Sequence, residues 1–335
     1  MKEFLRLCVI EALLGFAVSV VCLELVSCTK SGSDPVVGER GRVGVTFAVE
    51  GARTKAQSGP DASVNTLDVL LFRSRSGVLE CSGRTASDSI RISVPSGIPL
   101  DYYLIANAPE GVLPAAAGED EFLSGKTLLE HNGAGSFVMY GRGAAVFGED
   151  LEESVEVGLT PYVCKVTLDK IIPALKADSP SEIRFRGAFL MNVCGSEPYS
   201  GEAFAGAEWY NPGGRSLSTA SAVTPLVERS ADVLVSDTSP IEPAYVFYCL
   251  PNPAAEGESG VTRFVLEFTI DGKPNYYPVD LPSMESGRWY HIKSITVRGY
   301  GSSDPCTPVS NEQIHMRLDI APWDEAESFW DIGLD

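Results

Sequence analysis

Short segments in which apolar and polar side chains alternate constrain the fold of this chain more than any other feature. The first is residues 42–50 (RVGVTFAVE), where Val43, Val45, Phe47 and Val49 share one face. Successive side chains of a strand point to opposite faces of a sheet, so this period of two predicts a strand with one buried side. Similar segments recur along the chain, separated by glycine, proline and other turn-forming residues. The sequence therefore predicts an all-β fold.

The other predicted strands fall into two blocks. They are residues 65–73, 89–94, 100–107, 137–140 and 154–159, and then residues 163–169, 183–193, 244–250, 262–270, 275–280, 289–298 and 314–321. Asp271-Gly272 is a strong hairpin signal between two of them, and residues 121–131 form the main segment with helical character. Because 335 residues exceed one typical domain, we predict two β-sandwich domains, residues 40–160 and 161–335.

The N-terminus has the order of a secretion signal rather than of a folded element. Lys2 and Arg6 precede an apolar stretch, residues 12–23, which is followed by residues 25–28 (LVSC). A membrane-spanning anchor would need about 20 apolar residues, more than this stretch offers. Residues 25–28 resemble the lipobox of bacterial lipoproteins. Residues 1–28 are therefore predicted to be a lipoprotein signal, with Cys28 as the lipidated residue. Residues 29–39 are rich in serine, glycine and proline, as a tether would be.

The charge balance excludes one class of partner. The chain carries 26 basic and 45 acidic residues, a formal net charge of -19. Such a negative field repels nucleic acids and anionic lipid surfaces. We therefore expect no nucleic-acid partner, and the charge is explained by solubility alone.

No catalytic or metal-binding pattern is found. The three histidines, His131, His291 and His315, have no partner at a spacing typical of a metal site or a catalytic triad. Carboxylate pairs such as Glu149-Asp150 precede a predicted strand and indicate a solvated turn. We predict neither an enzyme nor a bound metal or cofactor. Aromatic residues on strands could form a carbohydrate platform, but period-two spacing favours packing; they are Tyr102, Tyr103, Tyr276, Tyr277, Trp289 and Tyr290.

The cysteines suggest neither metal nor redox chemistry, because no C-x-x-C or Cys/His spacing is present. Beyond the signal, five remain: Cys81, Cys164, Cys194, Cys249 and Cys306. Buried thiols are the expected state. An oxidising compartment would permit a disulfide, for example between Cys164 and Cys194, which the sequence leaves open.

Several stretches, taken in order, resemble the fimbrillin family, the lipoprotein subunits of type V fimbriae. They are the lipobox, residues 52–54 (ART) after the first strand, residues 65–73 leading to Gly77, residues 104–109 (LIANAP), and a closing block made of residues 277–281 (YPVDL), 289–292 (WYHI), 295–301 (ITVRGYG), 304–305 (DP) and 320–323 (IAPW). The resemblance covers most of residues 40–325.

The resemblance implies two transthyretin-like Greek-key sandwich domains, no catalysis, and a cell-surface fimbria that contributes to adhesion. It also implies lipid anchoring to the outer membrane through Cys28, cleavage after Arg53 by an Arg-specific protease, and co-assembly with other fimbrial subunits. The strand carrying Val43, Val45, Phe47 and Val49 would leave, and an extended segment of a neighbouring subunit would replace it. Alternatively, Arg53 is an uncut loop residue.

The donor segment stays open between two candidates. Residues 313–321 alternate with Ile314, Met316, Leu318 and Ile320 on one face, and residues 327–334 add further apolar side chains. Either segment could fill a neighbour's groove, and either could simply complete the second sandwich.

Two other functions remain open at this point. The chain could be a membrane-retained anchor subunit that keeps the lipid on Cys28 and never loses its first strand. It could also be a non-fimbrial surface lipoprotein that binds a glycan or host ligand through a sandwich face bearing Trp289 or Tyr277.

Overall fold

The computed structural model describes residues 41–50, 63–113, 117–133, 135–148, 152–175, 182–201, 209–211, 224–236 and 238–323. The predictions for the signal segment with Cys28, the tether 29–39, Arg53 and the segment 327–334 fall outside these residues. Within the described ranges, no helix is long and apolar enough to span a membrane.

Strands dominate the described chain, which confirms the all-β fold class. The first half contains β1 Arg42–Val49, β2 Leu67–Arg73, β3 Leu79–Thr85, β4 Ser89–Pro95, β5 Pro99–Ala106, helix α1 Glu119–Ser124, β6 Lys126–Leu128, a 3₁₀ turn Leu129–His131, β7 Met139–Val146, β8 Glu152–Val157 and β9 Thr160–Pro161.

The second half continues with short and long strands and one short helix. They are β10 Cys164–Leu168, β11 Ile171–Pro173, β12 Ile183–Met191, β13 Val193–Cys194, β14 Ser196–Pro198, β15 Trp209–Tyr210, helix α2 Thr224–Val227, β16 Glu228–Leu234, β17 Tyr245–Cys249, β18 Arg263–Ile270, β19 Lys273–Asp280, β20 Arg288–Val297 and β21 Ile314–Pro322.

The first half forms a sandwich of two sheets, which we call the first sandwich. One sheet has the order β4-β1-β8 and the other β3-β2-β5-β7-β9. Alternate apolar side chains of both sheets meet in one core cluster, which includes Val45, Phe47, Val69 and Leu104. The apolar side chains that alternate along residues 42–50 therefore form part of one side of this core.

The second half forms another pair of sheets, the second sandwich. Their orders are β11-β20-β10-β17, with β21 beside β20, and β16-β12-β18-β19. Phe247 of one sheet and Phe264 of the other meet edge to face, with ring centroids 5.4 Å apart. The Greek-key connectivity and the division at residues 160 and 161 stay predictions.

Contacts between the two halves are extensive. Strands β6 and β14 pair with each other, with Ser196 opposite Leu128. The rings of Phe137 and Tyr248 are 4.5 Å apart, within a hydrophobic cluster that extends through both halves. We call the paired strands β6 and β14, the rings of Phe137 and Tyr248, and the residues packed against them the junction. The junction ties the first sandwich to the second.

The hairpin predicted at Asp271-Gly272 is confirmed. This pair joins β18 to β19, and both residues have positive φ, 48° for Asp271 and 74° for Gly272. Such backbone angles at both central positions are typical of a type I′ turn, which matches the twist of the two strands that it connects.

Two predicted elements differ from the structure. The helix expected over residues 121–131 is instead α1 and a separate 3₁₀ turn, because the chain turns extended at Gly125 and β6 then pairs with β14. The strand expected over residues 137–140 is β7, which runs on to Val146. Gly141 and Gly143 permit this, since a Cβ at either position would clash with Val157 or Tyr102.

Candidate functional site

Strand β1 lies in the middle of its sheet. It pairs antiparallel with β4 and parallel with β8, so that Phe47 stands opposite Ile90 and Val155. Within the described chain, β1 is the strand partner of both β4 and β8, and neither of these has another. Removing β1 would therefore leave two facing edges with unpaired backbone groups and a gap one strand wide.

The inner face of β1 is buried. Val43 is 4% exposed, Val45 and Phe47 are fully buried, and Val49 is partly buried against the same core. The Phe47 ring lies 5.5 Å from Tyr102 and 6.0 Å from Phe147. The four alternating residues thus contribute to the core between the two sheets of the first sandwich. Their release from it stays a prediction.

Asn107 fixes the chain at residues 63–66, which follow the segment 51–62 in the sequence. It has a positive φ of 59°, a conformation that asparagine tolerates better than most residues. Its Oδ1 accepts hydrogen bonds from the backbone N–H groups of Asn65 at 2.8 Å and Thr66 at 3.3 Å. Its Nδ2 donates to the carbonyls of Ser63 at 2.8 Å and Phe137 at 2.9 Å. The chain beyond the predicted cleavage point is therefore fixed to the body without help from β1.

Substituting Asn107 by alanine should destabilise the first sandwich by about 2 kcal/mol or more, because four hydrogen bonds are lost and alanine disfavours the positive φ. The measurement is urea unfolding of both proteins. Asn65→Ala is the control, since the exposed Asn65 contributes its backbone N–H and should change stability by less than about 0.5 kcal/mol. Equal effects of the two substitutions would contradict the conclusion that the Asn107 side chain fixes this part of the chain.

The role of Asn107 is not evident from the sequence, where this residue stands out only as part of the stretch LIANAP. The available signal was an asparagine at the end of an apolar strand, directly before Ala108-Pro109. Asparagine is enriched at left-handed positions and pairs readily with nearby backbone groups. Its partners, however, are distant in sequence, and local pattern does not reveal them.

The candidate donor segment around residues 314–320 lies in its own sheet. Strand β21 pairs antiparallel with β20 along its length and forms an edge of the second sandwich. Ile314 is 4% exposed, Met316 and Leu318 pack partly buried against the core, and Ile320 is 51% exposed. The segment therefore completes the second sandwich here, with its burial decreasing toward the end.

Trp323, the residue directly after β21, is buried in the junction. The Trp323 ring stacks on Tyr248 at 5.8 Å and meets Phe137 at 5.7 Å, while the Lys165 ammonium lies 5.5 Å from the ring. The backbone N–H of Trp323 also donates to the Gly287 carbonyl at 2.9 Å. Withdrawing β21 would remove these contacts from the junction.

The aromatic residues considered for a carbohydrate platform are mostly buried. At most 9% of the surface is exposed for five of them, Tyr103, Tyr276, Tyr277, Trp289 and Tyr290. The remaining one, Tyr102, packs against Phe47. This arrangement is typical of core and cross-strand packing, and it leaves no stacking face for a sugar at these five positions.

The histidines lie in separate local contacts. His131 Nδ1 accepts a hydrogen bond from the backbone N–H of Leu128 at 3.1 Å, and burial lowers the pKa of His131. His291 Nε2 lies 2.6 Å from Asp169 Oδ2 and its ring stacks on Trp289. Among the described residues, no group of three or more His, Cys, Asp or Glu side chains is arranged to hold a metal ion.

Comparisons with solved structures show which proteins share the fold of this chain. No protein-family model and no curated protein matches the sequence. A candidate cell adhesion protein from Bacteroides eggerthii is 20% identical with a TM-score of 0.67, and the match covers 87% of this chain and 98% of that one. A fimbrilin from Porphyromonas gingivalis is 14% identical with a TM-score of 0.58, over 86% and 99%. The tip fimbrial protein Mfa3 of the same species, truncated at its C-terminus, is 13% identical with a TM-score of 0.51, over 84% and 100%.

These likenesses confirm the all-β sandwich fold class, while the Greek-key connectivity and the two-domain division stay predictions. At such identities they define the architecture, and what the chain does has to be argued from its own residues.

Proposed function

We propose that this chain is a structural subunit of a bacterial cell-surface fimbria, which contributes to adhesion and polymerises by replacement of strand β1. The observation that carries the proposal is the place of β1 as the central strand of its sheet, directly ahead of Arg53 in the sequence. The fold shared with a fimbrilin and a tip fimbrial protein supports it.

The route to the surface is part of the proposal. The charged and apolar order of residues 1–28 directs export, and Cys28 carries lipid that anchors the precursor to the outer membrane. An Arg-specific protease then cuts after Arg53, which is flanked by small residues and followed by a polar stretch.

Replacement of β1 by a neighbour's strand is energetically sufficient for a stable polymer. Two exposed edges provide backbone hydrogen bonds, and the pockets of Val43, Val45, Phe47 and Val49 accept alternate apolar side chains. Four such side chains at about 1.5–3 kcal/mol each give a gross gain on the order of 10 kcal/mol before ordering costs.

The contacts of the described chain favour residues 327–334 as the donor over residues 314–320. Release of β21 would expose the side of β20 that it covers and unpack Ile314 and Trp323. The tail beyond Trp323 can act as donor while β21 and the junction stay intact.

Cleavage after Arg53 should convert the precursor into oligomers. Treating the purified precursor with an Arg-specific protease should give a new N-terminus at Thr54 and a ladder of species on mildly denaturing SDS gels. Arg53→Ala should abolish both, whereas Lys55→Ala should leave both unchanged. Ladder formation that is equally strong in Arg53→Ala would refute processing at this residue.

A further inference from the structure

Two buried cysteines of the second sandwich face each other across neighbouring strands. Cys164 of β10 is the direct register partner of Cys249 in β17, and both side chains are fully buried. Residues directly opposite in an antiparallel pair have Cα atoms about 4.5–5.5 Å apart. A disulfide requires about 4.4–6.8 Å, so the strand pairing already supplies the geometry.

The surroundings hold the two thiols in place. The Cys164 thiol interacts with Cys249 and donates a hydrogen bond to the Glu285 carbonyl at 3.0 Å. On the other side, Cys249 Sγ lies 3.9 Å from Met284 Sδ. Both sulfur atoms therefore occupy defined positions in a packed core.

Cys194 is the competing partner, and its register disfavours it. It stands opposite Leu250, one residue beyond Cys249. Because successive residues of an extended chain point to opposite faces, Cys194 shares a face with Leu250 rather than with Cys249. Cys164 and Cys249 are therefore better aligned for a disulfide than either of them is with Cys194.

We propose that Cys164 and Cys249 form a disulfide when the chain folds in an oxidising compartment, which in the cell rests on the proposed export. Both thiols lose their protons and an S–S bond forms. The two electrons and two protons pass to the disulfide of a thiol oxidoreductase or of oxidised glutathione, whose two sulfur atoms become thiols. Burial disfavours the thiolate in the native protein, so oxidation belongs to folding, and the finished bond is shielded from reductants.

The bond would stabilise the junction. Strand β10 is the first long strand after the crossing from the first sandwich, and β17 carries Tyr248, which packs against Phe137 and Trp323. Linking the two strands closes a long loop, and the loss of freedom in the unfolded chain raises the unfolding temperature.

Peptide mapping tests the pairing on the unmodified chain. The full chain is refolded with oxidised glutathione, alkylated in denaturant, and digested without reduction. A second sample is isolated from bacterial cells that express the full precursor, with free thiols alkylated at lysis. We expect one linked peptide pair containing Cys164 and Cys249, about 2 Da lighter than the sum of the two reduced peptides, in both samples. The same chain refolded in the presence of reductant should have a Tm lower by about 5 °C or more.

The outcomes separate the pairing from the export. Full alkylation of Cys164 and Cys249 in the refolded sample, or a linked peptide that contains Cys194, would overturn the pairing. A link in the refolded sample but not in the cellular sample supports the pairing and contradicts the proposed export into an oxidising compartment. Cys194→Ala should keep the link and the sensitivity of Tm to reductant, and a variant with both Cys164→Ala and Cys249→Ala should lose both.

Discussion

Replacing Phe47 by alanine should destabilise the first sandwich by about 3–5 kcal/mol. The ring is fully buried between Tyr102 and Phe147, and the close packing of a core leaves a cavity when it is removed. Urea unfolding followed by circular dichroism gives the free energy of unfolding from the midpoint and slope. In the assembly account, a weaker hold on β1 should also speed its release after cleavage, which makes oligomers appear earlier.

Thr46→Ala is the matched control for this substitution. Thr46 is the neighbouring residue on the same strand, half-buried on the opposite face. We expect its loss to cost less than about 1 kcal/mol, since no core cavity is formed. Similar losses for Thr46→Ala and Phe47→Ala would mean that β1 is held by its backbone pairing rather than by its apolar face.

Glu197 should make the stability of the junction depend on pH. Its side chain is fully buried on β14, opposite the buried Thr127 of β6. Neither carboxylate oxygen has a hydrogen-bond partner among the described residues, and the same holds for Thr127 Oγ1. Burial raises the pKa of Glu197 to about 8. Its charge interacts with Tyr140, Tyr162 and Cys164, and none of these three side chains supplies a positive charge.

The sign follows from the proton that the folded chain keeps. Between about pH 4.5 and pH 8 the unfolded chain loses the Glu197 proton while the folded chain retains it. The unfolded state is therefore favoured increasingly as the pH rises through this window, and the contribution levels off above it. At pH 7 the cost is on the order of 3 kcal/mol.

Glu197→Gln removes the titration and keeps the shape. We expect the variant to match the wild-type free energy of unfolding near pH 4 and to exceed it by about 3 kcal/mol at pH 7. Urea unfolding across pH 4–9 measures the difference, and Glu130→Gln at an exposed carboxyl near β6 is the control. A difference between Glu197→Gln and wild type that does not change with pH would show that Glu197 is not protonated when buried.

Local pattern was enough for the features that depend on neighbours in the chain. The alternation of residues 42–50 predicts β1, and its inner side chains are those the structure buries. Asp271-Gly272 predicts a hairpin because a type I′ turn needs positive φ at two successive residues, and this pair adopts such angles readily. In both cases the physical cause lies within a few residues.

Features that depend on distant pairing were not predictable in this way. Strand β3 lacks a clear apolar alternation and exists because it pairs with β2 after the turn at Gly77. Strands β6 and β14 are short and polar, and each is ordered by the other across the junction. The position of β1 between β4 and β8 is likewise set by the sheet, so its value as a replaceable strand appears only in three dimensions.

The N-terminal residue of protein sheared from the cell surface tests the central claim most directly. If the segment ahead of Arg53 leaves so that another subunit can take its position, the sheared protein begins at Thr54 and lacks Val43, Val45, Phe47 and Val49. If that protein instead begins at a lipidated Cys28, strand β1 is retained, and the account of a fimbrial subunit that polymerises by strand replacement is wrong.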